Sequence, residues 1–119
     1  PNVLYIYLLG QIVNDMLLKG MDMIRRESKY KAALLYNLFD SHERLSSFVK
    51  EKNHRSLTVA TAVVKDGPEK LIEKLNEKGI VIGSGYGPLK DSQVRIASFP
   101  THSKEQIELM VDTIGGIDF

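Results

Sequence analysis

Apolar residues run almost unbroken through the first part of this chain. From Val3 to Leu9 every position is apolar or tyrosine, and Ile12, Val13, Met16, Leu17 and Leu18 follow at helical spacing. The pattern predicts a helix over 3–18 that is apolar on nearly every side, and such a helix is covered on several sides. Gln11, Asn14 and Asp15 interrupt it, and it falls short of the roughly 20 apolar residues that a membrane span needs. Two coverings are open: a surface outside this chain over Val3–Leu9, or the centre of a self-contained bundle. Lys19-Gly20 closes the helix, with a cation at its negative end and a glycine where the chain turns.

Over 21–39 the apolar positions thin out to a helical stripe. Met23, Glu27, Tyr30, Leu34 and Leu38 recur three or four apart, while Arg25, Arg26, Lys29 and Lys31 fall mostly off that stripe and read as a solvated face. Asp40-Ser41-His42-Glu43 has the form of a capping box, so a short helical turn to about Phe48 is expected, then a loop over Lys50–Arg55. Ser56–Val64 is small and β-branched, which predicts a strand. Leu57, Val59, Thr61 and Val63 take one face of it, and Thr58, Ala60, Ala62 and Val64 the other. The second face is small enough for another layer to approach closely. Asp66-Gly67-Pro68 turns into a helix over 69–78, with Leu71, Ile72 and Leu75 inward and Gly79 as its stop. Ile80–Ile82 and Val94–Phe99 read as two strands around a glycine-rich turn. Ser103 and Gln106 form a capping box for a last helix to about Ile114, with Ile107, Met110, Val111 and Ile114 inward.

This order predicts an α+β fold: two long N-terminal helices, then a β-α-β-β-α unit whose small, mainly antiparallel sheet carries helices on one face. No repeat or linker interrupts the 119 residues, which make one domain of ordinary size. A formal net charge of +1 gives no case for nucleic acid or an anionic membrane as partner. The lack of cysteine excludes disulfides and thiolate metal sites, and fits the cytoplasm. No signal peptide opens the chain, which starts at Pro1 without a methionine, so a processed or excised piece is expected.

Candidate chemistry is sparse. His42, His54 and His102 have no ligand spacing, and no nucleophile-base motif is present. The loop Gly83-Ser84-Gly85-Tyr86-Gly87 leads from strand to strand rather than into a helix, so it lacks the dipole of a phosphate loop and reads as a flexible turn. Arg95 is different. It stands inside an apolar strand, on the face opposite Val94 and Ile96, beside the small Ala97. A guanidinium there needs a partner. Either a nearby carboxylate bridges to it, or it binds an anionic group of a ligand through two parallel hydrogen bonds. Lys90, on the adjacent loop, is a weaker candidate anion contact.

Three stretches together resemble the C-terminal small domain of phosphoserine aminotransferases, which are class V, fold-type I pyridoxal-phosphate enzymes. They are the opening PNVLYIYLLGQIVNDMLLKGMDMIRRESKYKAALLYNLFDS, then HRSLTVA, then KGIVIGSGYGPLKDSQVRIASFPTHS. The resemblance spans essentially all of 1–119. It implies a preceding large domain of the same chain that holds pyridoxal phosphate, a homodimer, and small amino and keto acids as substrates. It implies transfer of an amino group from glutamate to 3-phosphohydroxypyruvate, with this domain closing the cleft. It assigns the substrate carboxylate to Arg95, puts no catalytic residue in this piece, and implies that the piece alone is inert and holds no cofactor. The family's His-Arg phosphate grip is not matched, because Pro88-Leu89-Lys90 stands there; another substrate, or Lys90 in its place, is then open. A different class also fits Ser56–Ile114: a free-standing regulatory module that senses amino acids. The apolarity of Val3–Leu9 speaks against it.

Overall fold

The computed structural model describes residues 1–119. Two helices lead, α1 (Val3–Lys19) and α2 (Met21–Ser41), joined at Gly20. Strands β1 (Leu45–Ser47) and β2 (Val59–Val64) follow, then α3 (Glu69–Glu77), β3 (Gly83–Ser84), β4 (Gln93–Ala97) and α4 (Lys104–Gly116). The sheet has the order β1-β2-β4-β3 with every neighbouring pair antiparallel. β4 is central, so Arg95 faces Thr61 on one side and Gly83 on the other. This is the α+β architecture expected from the order of elements.

One core holds the fold. Ala60, Ala62 and Val64 of β2 and Val94 and Ile96 of β4 share it with Leu35 and Phe39 of α2, Leu71 and Leu75 of α3, and Ile107 and Ile114 of α4. The helices of this core therefore lie on one face of the sheet. The small alanines admit α2 against β2, as their size suggested. α4 starts with the capping box, in which Ser103 Oγ accepts from the Gln106 N–H and the Gln106 side chain accepts from the Ser103 N–H. The last residue, Phe119, is buried and stacks on His42 with ring centroids 5.2 Å apart.

α1 stands away from this core and buries none of its residues. Val3, Tyr5 and Leu18 expose 70%, 68% and 79% of their surface, so the self-contained bundle is excluded. The chain has a radius of gyration of 15.8 Å, against about 13.5 Å for a compact domain of this length. The projecting helix accounts for that excess.

Four local expectations are corrected. The inward stripe of α2 is Ile24, Ser28, Lys31, Ala32, Leu35, Tyr36 and Phe39, whereas Met23 and Tyr30 are exposed. Lys31 and Ser28 interrupt the true stripe with polar groups, so the neighbouring, more continuous one looked buried. Asp40 caps no second helix. α2 runs on to Ser41, and the carboxylate of Asp40 instead accepts from Ser47 Oγ at 2.6 Å and Arg55 Nη1 at 2.9 Å. Leu45–Ser47 is then an edge strand paired with Val64–Ala62, too short to show its alternation in sequence. Finally, Ile80–Ile82 does not pair. Only Gly83–Ser84 joins β4, and Val81 is 84% exposed.

Candidate functional site

Val59, Thr61 and Val63 of β2 and Arg95 and Ala97 of β4 form the half-buried face of the sheet opposite the helices. Alternation along β4 puts Arg95 here while Val94 and Ile96 are sealed in the core at 0% and 1% exposure. No carboxylate of the chain lies within 4 Å of its guanidinium. The carboxylate bridge considered from sequence is therefore not what holds it. Its Nε donates to the Ser84 carbonyl oxygen at 2.7 Å, and its guanidinium carbon sits over the Tyr86 ring, 3.7 Å from the centroid. Gly83 lies close against it: a Cβ there would stand 3.1 Å from Arg95 Nη2, so the guanidinium would have to shift by a few tenths of an ångström.

The loop that supplies these groups is ordered rather than a loose turn. The Gly85 N–H donates to the Gln93 carbonyl at 2.8 Å, and the Leu89 N–H to the Tyr86 carbonyl at 3.0 Å. A side chain at Gly85 would put Cβ 2.3 Å from the Leu89 carbonyl oxygen, so the loop folds this tightly only on glycine. The contacts of Ser84 and Tyr86 to Arg95 escaped sequence reasoning. The signal for them was the register, which sets a glycine opposite an arginine with an aromatic three residues on.

Lys90 is placed otherwise. It lines a groove with Glu69, Glu73, Glu77 and Asp91, and Arg95 does not line that groove. The rim is acidic and offers an anion little. The histidines do not converge either: His42 packs on Phe119, and His102 Nδ1 accepts the Phe99 N–H at 3.0 Å. No group of three His, Asp or Glu side chains comes together in a way that would hold a metal.

Lys31 is the one buried lysine, 1% exposed, and the other lysines stand in solvent. Its Nζ donates to the Phe99 and His102 carbonyls at 2.8 and 2.7 Å. Burial holds its pKa below the usual lysine value, with the nearby Glu27 opposing. It acts as a clamp on the turn between β4 and α4. Its ammonium is committed to these two carbonyls and ties α2 to that turn.

No helix of the chain is long and apolar enough to cross a membrane. No family model and no curated protein sequence matches the chain. Solved structures do. A phosphoserine aminotransferase from Cytophaga hutchinsonii shares 36% identity over 97% of the chain, with a TM-score of 0.92. An alanine–glyoxylate aminotransferase from Nostoc sp. matches 91% of the chain at 23% identity and a TM-score of 0.72. An aspartate aminotransferase from Thermus thermophilus matches 74% at 21% identity and 0.64. The last two show the fold alone. The chain spans 32%, 29% and 25% of the lengths of these three proteins, about a third or less of each. The resemblance to phosphoserine aminotransferases that the sequence carries is thus borne out in both sequence and fold.

Proposed function

We propose that this chain is the small, C-terminal domain of a phosphoserine aminotransferase, moving an amino group from glutamate to 3-phosphohydroxypyruvate within a cytoplasmic homodimer. The likeness to the Cytophaga hutchinsonii phosphoserine aminotransferase supports the reaction class. A large domain of the same polypeptide, packed over the apolar face of α1, holds pyridoxal phosphate, which supplies the electron sink for transamination. This piece alone is inert and retains no cofactor. A stable aldehyde–lysine absorbance after dialysis, lost on mutating one lysine, would refute that. A free-standing sensor would not leave so much of α1 uncovered.

The observation that carries the site is a guanidinium on the open face of the sheet with no acidic partner. Arg95 binds the substrate α-carboxylate and so fixes which bond of the α-carbon faces the reacting group, which is catalysis by orientation. Thr61, Ala97 and Gly83 leave room for the ligand. Lys90, among carboxylates, is given no part in it.

Arg95→Lys in the full-length enzyme tests this, because lysine keeps the charge and loses the two-pronged geometry. The expected loss in kcat/KM is about 2–5 kcal/mol, for both the amino donor and the keto acceptor, since each presents the same carboxylate. A lowered Tm with kinetic constants near wild type would remove Arg95 from the site.

A further inference from the structure

We infer that Tyr86 is a positioning residue for the carboxylate site, holding the plane of the Arg95 guanidinium so that the Nη1–Nη2 edge receives the ligand. The inference rests on the substrate role proposed above for Arg95.

Tyr86 is 73% exposed, so its ring contributes little to the core. Its backbone is nonetheless tied down. The adjacent Gly85 N–H bonds β4 at Gln93, and the Tyr86 carbonyl accepts the Leu89 N–H. An exposed ring on a fixed backbone, 3.7 Å from a guanidinium carbon, is a platform for that cation. The Nε of Arg95 is already committed to the Ser84 carbonyl at 2.7 Å. Its side edge, formed by Nε and Nη2, is therefore taken. The end edge, Nη1 with Nη2, remains for a two-pronged bond to a carboxylate. That bond lies in the guanidinium plane, whereas the tyrosine ring covers a face, so ring and ligand bind together without competing. The ring also keeps water from one face of the cation. Gly83 completes the arrangement by leaving space beside Nη2.

The test uses the full-length enzyme with Tyr86→Leu, Tyr86→Phe and Arg95→Lys. Leucine removes the aromatic face, and phenylalanine keeps it while removing only the hydroxyl. Tyr86→Leu should raise KM for amino donor and keto acceptor alike by roughly 3- to 30-fold, the effect of an aromatic–guanidinium contact, with kcat within about twofold. Tyr86→Phe should restore wild-type KM. A purely structural role would instead lower Tm and leave KM alone. A chemical readout is independent of activity: phenylglyoxal modification of Arg95, followed by mass spectrometry, should be faster in Tyr86→Leu than in wild type or Tyr86→Phe. The inference is overturned if Tyr86→Leu leaves KM unchanged while Arg95→Lys impairs the enzyme, or if Tyr86→Phe is as impaired as Tyr86→Leu. If Arg95→Lys itself leaves the kinetics untouched, the substrate role of Arg95 fails. The phenylglyoxal rates then still decide whether Tyr86 holds the guanidinium, and equal rates in wild type and Tyr86→Leu overturn that too.

Discussion

Lys31→Met separates a buried cation from the apolar stem that carries it. The substitution keeps an unbranched chain in the core and removes the ammonium that donates to the Phe99 and His102 carbonyls. The Phe99 carbonyl retains the His102 N–H at 2.9 Å, but the His102 carbonyl is left with no donor. Hydrogen bonds from a charged donor contribute about 1.5–3 kcal/mol each, so two give roughly 3–6 kcal/mol. Removing the ammonium also relieves its desolvation, which returns part of that sum. The net expectation is a loss of about 2–4 kcal/mol, corresponding to a fall in Tm of roughly 8–16 °C for a domain of this size. Urea unfolding followed by circular dichroism measures it as a lower midpoint with unchanged slope. pH supplies a second signature. Burial keeps the folded pKa of Lys31 below its ordinary 10.5, so the unfolded chain binds that proton more tightly. The resulting penalty is fully present below the folded pKa and is relieved as pH rises toward 10.5. The advantage of wild type over Lys31→Met should therefore grow through the alkaline range. Equal midpoints at neutral pH, with a difference that stays flat on raising the pH, would show that the clamp contributes nothing.

Two further outcomes are expected. Without the proposed large domain, the chain should self-associate through Val3–Leu9, and Leu4→Glu with Ile6→Glu should make it monomeric; light scattering from the unmodified chain showing a clean monomer at high concentration counts against this. Asp40, held below the usual carboxylate range by its hydrogen bonds from Arg55 and then Ser47, contributes stability above pH 3.8 that disappears as pH falls through its depressed folded value. Because the carboxylate is 43% exposed, Asp40→Asn should cost about 1 kcal/mol or less at neutral pH and flatten the acid limb of a Tm–pH curve, and an unchanged acid limb is the result that refutes it.

The chain's local rules were legible without coordinates. Capping at Ser103 and Gln106, the glycine stops at Gly20 and Gly79, and the alternation that turns Arg95 away from Val94 and Ile96 depend only on neighbours a few residues away. The uncovered apolar face of α1 was legible for a related reason: no amphipathic stripe is present to tell one side from another. The misreadings have a common cause in contacts between residues distant along the chain. Lys31 looked like a solvated charge because its two carbonyl partners lie 68 and 71 residues on, and only the packing of α2 under the β4–α4 turn brings them together. Asp40 looked like a helix cap because Arg55 and Ser47, which claim its carboxylate, meet it only once β1 has paired with β2. The same holds at the site. That Arg95 needed a partner followed from the cost of an unpaired charge in an apolar strand, but the sequence offered only a carboxylate of the chain or an anionic group of a ligand, and neither the Ser84 carbonyl nor the Tyr86 ring was legible in it. The register of β3 against β4 decided it, because pairing Gly83 with Arg95 brings a carbonyl and an aromatic face to the guanidinium and leaves its end edge free.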